Sequence, residues 1–227
     1  SSLAALSFAA AEARASFSFS QLLSLLSVPT QSGELAEIGE EELNTYFSML
    51  ADGQASGVFP FWLSQFEDPE QSWAAFLEGR TPMAVAWSSQ FLSGAVPDQA
   101  SAPLPSYDGE NFTLLRGWFW GVSAVEGERA QIALELAEFL TAPDFLAQWS
   151  AAAGYLPPRA SSLAAWSPDE RQALASQVVA NATTFPPDEL LFEMGPALSE
   201  AVVAILKQEI TPEEATLLVL ESWQDSE

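Results

Sequence analysis

An oxygen-bearing side chain, then proline, then an acid: this grammar occurs three times and constrains the fold more than any other pattern in the chain. It occurs as Asp68-Pro69-Glu70-Gln71, Ser167-Pro168-Asp169-Glu170 and Thr211-Pro212-Glu213-Glu214. The first residue can cap orphan N–H groups, and proline at the first helical position has no N–H to leave unbonded. The acids then sit at the positive end of the helix dipole. In the first copy Gln71 is placed to complete a capping box. Each copy predicts a helix start, and Gly79 predicts the end of the helix opened at Asp68.

Apolar periodicity extends the helical reading. Phe19, Leu22, Leu23 and Leu26 fall at i, i+3, i+4 and i+7, which predicts a helix over 18–26 stopped by Pro29, with a polar loop over 30–39. A second helix is expected over 40–51, burying Leu43, Phe47 and Leu50 and closed by Asp52-Gly53. Residues 128–140 form a third, with Ile132, Leu136, Phe139 and Leu140 on one side. Pro143 opens the next and Gly154 caps it; Pro196 is expected to begin a long helix toward Lys207. Residues 1–16 fit a helix or a strand with a loop equally well.

Extended segments are few. Met83 to Trp87 reads as a short buried strand, and Leu114 to Ala124 as another apolar run after the turn dipeptide Asp108-Gly109. Both are too short to stand alone, so they are expected in one sheet. Leu104, between Pro103 and Pro105, can only be an edge or a connector. No repeat and no separating linker is present, so residues 1–227 read as a single helix-rich α/β unit.

Composition removes whole classes of chemistry. With 48% hydrophobic residues in 227 the chain can bury a real core. It has no Cys and no His, which excludes disulfides, thiolate nucleophiles, Ser-His-Asp catalysis and the usual transition-metal ligands. Seven Lys and Arg against 31 Asp and Glu give a net charge of −24, which repels phosphate backbones and anionic headgroups. Nucleic acid is therefore not expected as a partner. The acid excess fits an extracellular, acidic or salty setting, and equally a solubilising surface over many aromatics. Glu12 and Arg14 interrupt the apolar opening stretch, which does not read as a signal peptide, and no apolar run reaches membrane-span length. No phosphate loop, dinucleotide fingerprint, nucleophile elbow or calcium loop occurs, so no cofactor and no metal site is expected. Asn111-Phe112-Thr113 and Asn181-Ala182-Thr183 match the glycosylation sequon.

A series of motifs in order carries a resemblance. Phe76-Leu77-Glu78-Gly79-Arg80-Thr81-Pro82-Met83 leads into Trp87; Pro103-Leu104-Pro105 leads to Gly117-Trp118-Phe119-Trp120-Gly121. Ala133 to Pro143 and the loop Gly154-Tyr155-Leu156-Pro157-Pro158-Arg159 follow, and Pro196 to Val203 and Thr211 to Ala215 close the series. Together they resemble the family 1 extracellular solute-binding proteins, the maltodextrin-binding-like group, over about residues 40–223. Pro82 stands where that family usually has Ala. The resemblance implies a type II periplasmic-binding-protein fold, here the C-terminal lobe and adjoining helices without a complete N-terminal lobe. It also implies a non-catalytic, extracellular or periplasmic component of an ABC importer. Such a chain binds a sugar or oligosaccharide, partners permease subunits, and meets the membrane only through that permease or an anchor outside this chain.

Sugar recognition needs flat aromatic faces against C–H surfaces and planar polar groups for hydroxyls. The resemblance places Trp87 at a strand end by the ligand; packing beside Met83 and Val85 is the alternative. Trp118 and Trp120 share a parity opposite to Phe119, so Trp118 is taken as ligand-facing and Trp120 as either ligand contact or core. Arg116 requires a carboxylate or ligand partner. Tyr155 can reach a ligand from its loop or plug the packing. Trp62, Trp73, Trp149, Trp166 and Trp223 are expected in core or rim. The acid pairs Glu40-Glu41, Asp188-Glu189 and Glu213-Glu214 admit a second class, a glycan-acting enzyme with a carboxylate pair, although helix dipoles explain them better. A helix-rich protein-interaction domain is the third class.

Overall fold

The computed structural model describes residues 4–26, 38–94, 99–106, 109, 111–123, 126–180 and 182–224. Pro29, the loop over 30–37, Asp108, Ala124 and Asn181 lie outside them. The chain folds into two compact units. The first comprises Ser1–Ala86, Pro105–Leu114 and Thr183–Glu227; the second comprises Trp87–Leu104 and Leu115–Ala182.

The first unit is built on helices α1 (Ser16–Leu25), α2 (Glu40–Ala55), α3 (Pro69–Leu77), α9 (Asp188–Leu206) and α10 (Pro212–Gln224). Helix α10 packs on α9 and α2, and α2 on α9. Phe19, Leu22, Leu43, Phe47, Leu50, Leu191, Leu198, Val202 and Leu206 are wholly buried between them. Each such side chain contributes about 1.5–3 kcal/mol through burial. Strands β1 (Leu6–Ser7) and β2 (Met83–Ala84) pair in parallel, Leu6 beside Met83. Ser7, Ser72 and Thr81 bury their hydroxyls beneath this pair: Ser72 and Thr81 each donate to Ser7 at 3.1 Å, and Ser7 donates to the Ser72 carbonyl at 3.2 Å. Burial is tolerable because each hydroxyl has a partner.

The second unit holds α4 (Ser88–Ser93), α5 (Glu128–Leu140), α6 (Pro143–Ala153), α7 (Ala160–Ala164) and α8 (Glu170–Ala180). Helix α6 packs on α4, α5 and α7, and α7 packs on α8. Its core is thinner, with Leu92, Leu146, Leu163, Leu174 and Val178 buried. A three-stranded sheet has the order β3 (Leu104–Pro105), β4 (Asn111–Leu115), β5 (Ala182–Thr184).

Local caps behave as their chemistry requires. Asp68 accepts the Gln71 N–H at 2.9 Å while the Gln71 side chain accepts the Asp68 N–H at 3.3 Å. Thr211 and Glu214 exchange the same pair of bonds at 3.2 and 2.9 Å. In the second copy Asp169 rather than Ser167 is the cap, accepting the N–H groups of Arg171 and Gln172, both at 3.0 Å. Asp169 presents a carboxylate directly before the helix, and α8 starts after it.

Several expectations are corrected. Segments 82–87 and 114–124 do not share a sheet: β2 pairs with β1, and β4 lies between β3 and β5. Strand β2 stops at Ala84, and the Trp87 N–H is captured by the Gln90 side chain at 2.8 Å, which starts α4 instead. Strand β4 ends at Leu115, and residues 116–123 have no regular structure. Helix α2 runs through Asp52-Gly53 to Ala55, because Gly57, with φ +80°, is the true left-handed terminator. Gly53 is there for space, since a Cβ would strike the Phe59 ring. Pro196 lies inside α9, not at its start. An internal proline costs about 3 kcal/mol, less than the burial of Leu191, Leu198, Val202 and Leu206 together returns. On α5 the inward face is Ala130, Ala133, Ala137 and Leu140, whereas Ile132, Leu136 and Phe139 are exposed.

Candidate functional site

All five candidate ligand residues fall in the second unit. Trp87 occupies the N-cap position of α4 and is half-buried, not displayed at a strand end. Arg116, Trp118 and Trp120 follow β4 in the irregular segment. Trp118 is 94% exposed, Phe119 96% and Trp120 67%. Without a strand neither parity is driven inward, and Trp120 is not a core residue. Arg116 is exposed as well.

Tyr155 is placed by the end of α6. Gly154 takes a left-handed conformation, φ 72° and ψ 28°, and the Tyr155 N–H bonds back to the Ser150 carbonyl at 3.0 Å. This reversal lays Tyr155 parallel to Trp149, with centroids 5.9 Å apart and planes 9° from parallel. Both rings remain about half exposed. Trp149, expected in core or rim, is thus a surface aromatic that sequence reasoning missed. The available signal was its helical phase: Leu146, Ala147 and Ser150 point inward, which leaves Trp149 outside. One turn earlier Phe145 meets Phe139 at 5.0 Å.

The other tryptophans are structural or peripheral. Trp223 stacks on Phe19 at 6.4 Å and donates to the Met194 carbonyl at 3.1 Å. Trp166 donates to the Ala147 carbonyl at 3.1 Å. Trp62 packs against Phe66 and Trp73 against Phe76.

Helix α4 reaches α6 where Ser93 meets Gly154, so closely that a Cβ on Gly154 would come within 2.8 Å of the Ser93 backbone. Beside this contact lies a cavity of about 110 Å³ lined by Leu92, Gly154, Trp166, Ser167, Asp169 and Arg171 among others. Drug-sized ligand pockets span about 300–1,000 Å³, so this one suits waters or a small polar group rather than an oligosaccharide. Asp169 and Arg171 supply its charge, and the Trp166 indole and Leu92 its apolar wall. In the first unit an open groove of about 820 Å³ lies between α9 and α10, with Glu200, Glu214 and Glu221 on its walls and no aromatic side chain.

Among the described residues no three acidic side chains gather closely enough to hold a metal ion. Among them, too, no helix is long and apolar enough to cross a membrane.

The sequence matches the bacterial extracellular solute-binding protein family over residues 6–179, and the chain belongs to that family. The matched stretch runs from β1 into α8 and contains all five candidate residues. It begins well before residue 40 and ends ahead of α9 and α10, so the closing motifs at 196–203 and 211–215 lie outside it. No curated protein matches the sequence. Family membership defines an extracellular protein that binds a solute and works with a transporter.

Proposed function

We propose that this chain is the non-catalytic solute-binding component of an ABC importer and that its solute is a carbohydrate. Trp118 carries the reading: a tryptophan exposing 94% of its surface is a ready stacking platform for the C–H face of a sugar ring. Trp120 beside it and the Tyr155–Trp149 stack add aromatic surface in the same unit, and Arg116 supplies fixed N–H donors for hydroxyls. Trp87 completes the ligand set. The order of motifs from Phe76 to Arg159 supports a maltodextrin-binding-like relative and its C-terminal portion in particular. Permease subunits are the matching partners, and the ligand-dependent change they read is a difference in affinity between two states of the binding protein.

A thermal-shift titration of the full-length protein tests this against mono- and oligosaccharides, with amino acids and short peptides as controls. A ligand held only by the native state at a hundredfold excess over its Kd stabilises by about 2.7 kcal/mol. A shift with sugars alone is expected. A shift with amino acids or peptides alone removes the carbohydrate assignment.

One observation favours a second reading, a glycan-acting enzyme: three carboxylates line the α9–α10 groove. Glu214 is already engaged by the Thr211 N–H at 2.9 Å, and the groove offers no aromatic platform. Release of reducing sugar that is lost in Glu200→Gln and Glu221→Gln would establish that reading in place of the first.

A further inference from the structure

We propose that the groove between α9 and α10 is a docking site for a cationic amphipathic segment of a partner protein. Aliphatic side chains of that segment rest on Leu217 and Leu218, and its Lys or Arg residues meet Glu200 and Glu221. Every residue in the groove belongs to the first unit, so its role is independent of the carbohydrate reading.

The groove's α10 wall is a single stripe. Glu214, Leu217, Leu218 and Glu221 stand at i, i+3, i+4 and i+7, so two leucines are bracketed by an acid at each end. Helix α10 already buries another stripe, Ala215 and Val219, in the core, so this second apolar surface is not needed to hold the fold. Leu217 and Leu218 are nonetheless 55% and 38% exposed. Pro196 and Ala197 form part of the α9 wall, with Glu200 one turn beyond.

Charge selects the occupant. No Lys or Arg lines the groove, and among the described residues neither Glu200 nor Glu221 has an ion-pair partner. A second copy of this chain would carry its own net charge of −24 and would set like carboxylates against one another, which opposes self-docking. An apolar strip between acids is instead complementary to a helix that alternates aliphatic and basic side chains, bound in the helix-in-groove manner.

The probe is a fluorescent helical peptide of leucine and lysine, titrated by anisotropy, with a leucine–glutamate peptide as control. Because any cationic peptide is drawn to so acidic a protein, the decisive comparison is between matched variants. Leu217→Ser/Leu218→Ser and Glu200→Gln/Glu221→Gln alter the groove. Ile132→Ser/Leu136→Ser and Glu135→Gln/Glu138→Gln make the same changes on the exposed face of α5. Circular dichroism verifies that each variant folds. We expect the groove variants to weaken binding about tenfold and the α5 variants to leave it within about twofold. Equal losses in both sets would reduce the effect to overall charge and overturn the proposal, as would no loss in the groove set or equal binding of the acidic peptide. Sedimentation that detects self-association abolished by Leu217→Ser/Leu218→Ser would assign the groove to a second copy and overturn it as well.

Discussion

The Tyr46 phenol donates a 2.8 Å hydrogen bond to the Ser18 hydroxyl where neither residue meets solvent, tying α2 to α1 inside the core. Replacing Tyr46 with Phe keeps the ring and its packing but leaves the Ser18 hydroxyl without this partner. The expected loss is about 1–2 kcal/mol in urea unfolding, with the denaturant slope unchanged. A loss near zero would mean that Ser18 finds another acceptor or donor at no penalty.

Burial pushes the Tyr46 phenol above its ordinary value, and the hydrogen bond with Ser18 offsets this only in part. A folded-state pKa above the unfolded one means stability is complete below the unfolded value near 10 and falls as pH rises past it. One such proton gives a slope of up to about 1.4 kcal/mol per pH unit. Unfolding free energy measured between about pH 9 and 11 should therefore decline more steeply in the native protein than in Tyr46→Phe. Parallel curves would show that Tyr46 ionises as freely folded as unfolded.

Gly195 of α9 lies against the backbone of Ala13 and Arg14, and a Cβ there would meet the Ala13 carbonyl and come within 2.9 Å of the Arg14 Cα. Arg14 fastens the same contact, its guanidinium 4.7 Å above the Phe192 ring and 3.9 Å from Asp188. Because the obstructing atoms are backbone, they cannot swing aside. Gly195→Ala should destabilise by about 1–3 kcal/mol in denaturant unfolding despite the better helix propensity of alanine. An increase in stability would mean the loop over 11–15 yields readily.

What the sequence reveals divides along range of interaction. Helix starts at Asp68, Pro143 and Thr211 are legible because every atom involved lies within four residues. The strand pair Leu6–Ser7 with Met83–Ala84 is not, since a two-residue strand has no measurable period and its partner is distant in sequence. Pro196 misleads for a related reason: its local meaning is a helix start, and only the burial of α9 on α2 and α10 overrides it. On α5, periodicity groups Ile132, Leu136, Phe139 and Leu140, yet only Leu140 turns inward, beside Ala130, Ala133 and Ala137, because a run of small residues packs closely without adding to an apolar period. For the candidate site the aromatic residues are legible as types, while their exposure is not. Separating Trp118 from Trp120 by alternation requires a strand, and β4 stops at Leu115.

Gly154 holds the second unit's α4–α6 contact and the Tyr155–Trp149 stack at once. Its left-handed φ and the nearby Ser93 backbone both oppose a side chain. Gly154→Ala should therefore lower the melting temperature and also change the emission of Trp149, whose parallel neighbour is displaced. The two readouts are expected to move together. A lower melting temperature with the Trp149 signal intact, isolated by comparison with Trp149→Phe, would show that the stack survives without this turn.

Trp118 is the residue on which the carbohydrate reading stands or falls. At 94% exposure it has almost no packing to lose, so Trp118→Ala should leave the melting temperature nearly unchanged. If its face stacks on a sugar ring, the same change should weaken binding by roughly 1–3 kcal/mol in isothermal titration of the full-length protein. Trp87→Ala makes the contrast: half-buried at the start of α4, it is expected to lower stability as well as affinity. Tight sugar binding that survives Trp118→Ala would remove this tryptophan from the site and leave Trp120 and Tyr155 as the aromatic surfaces to test next.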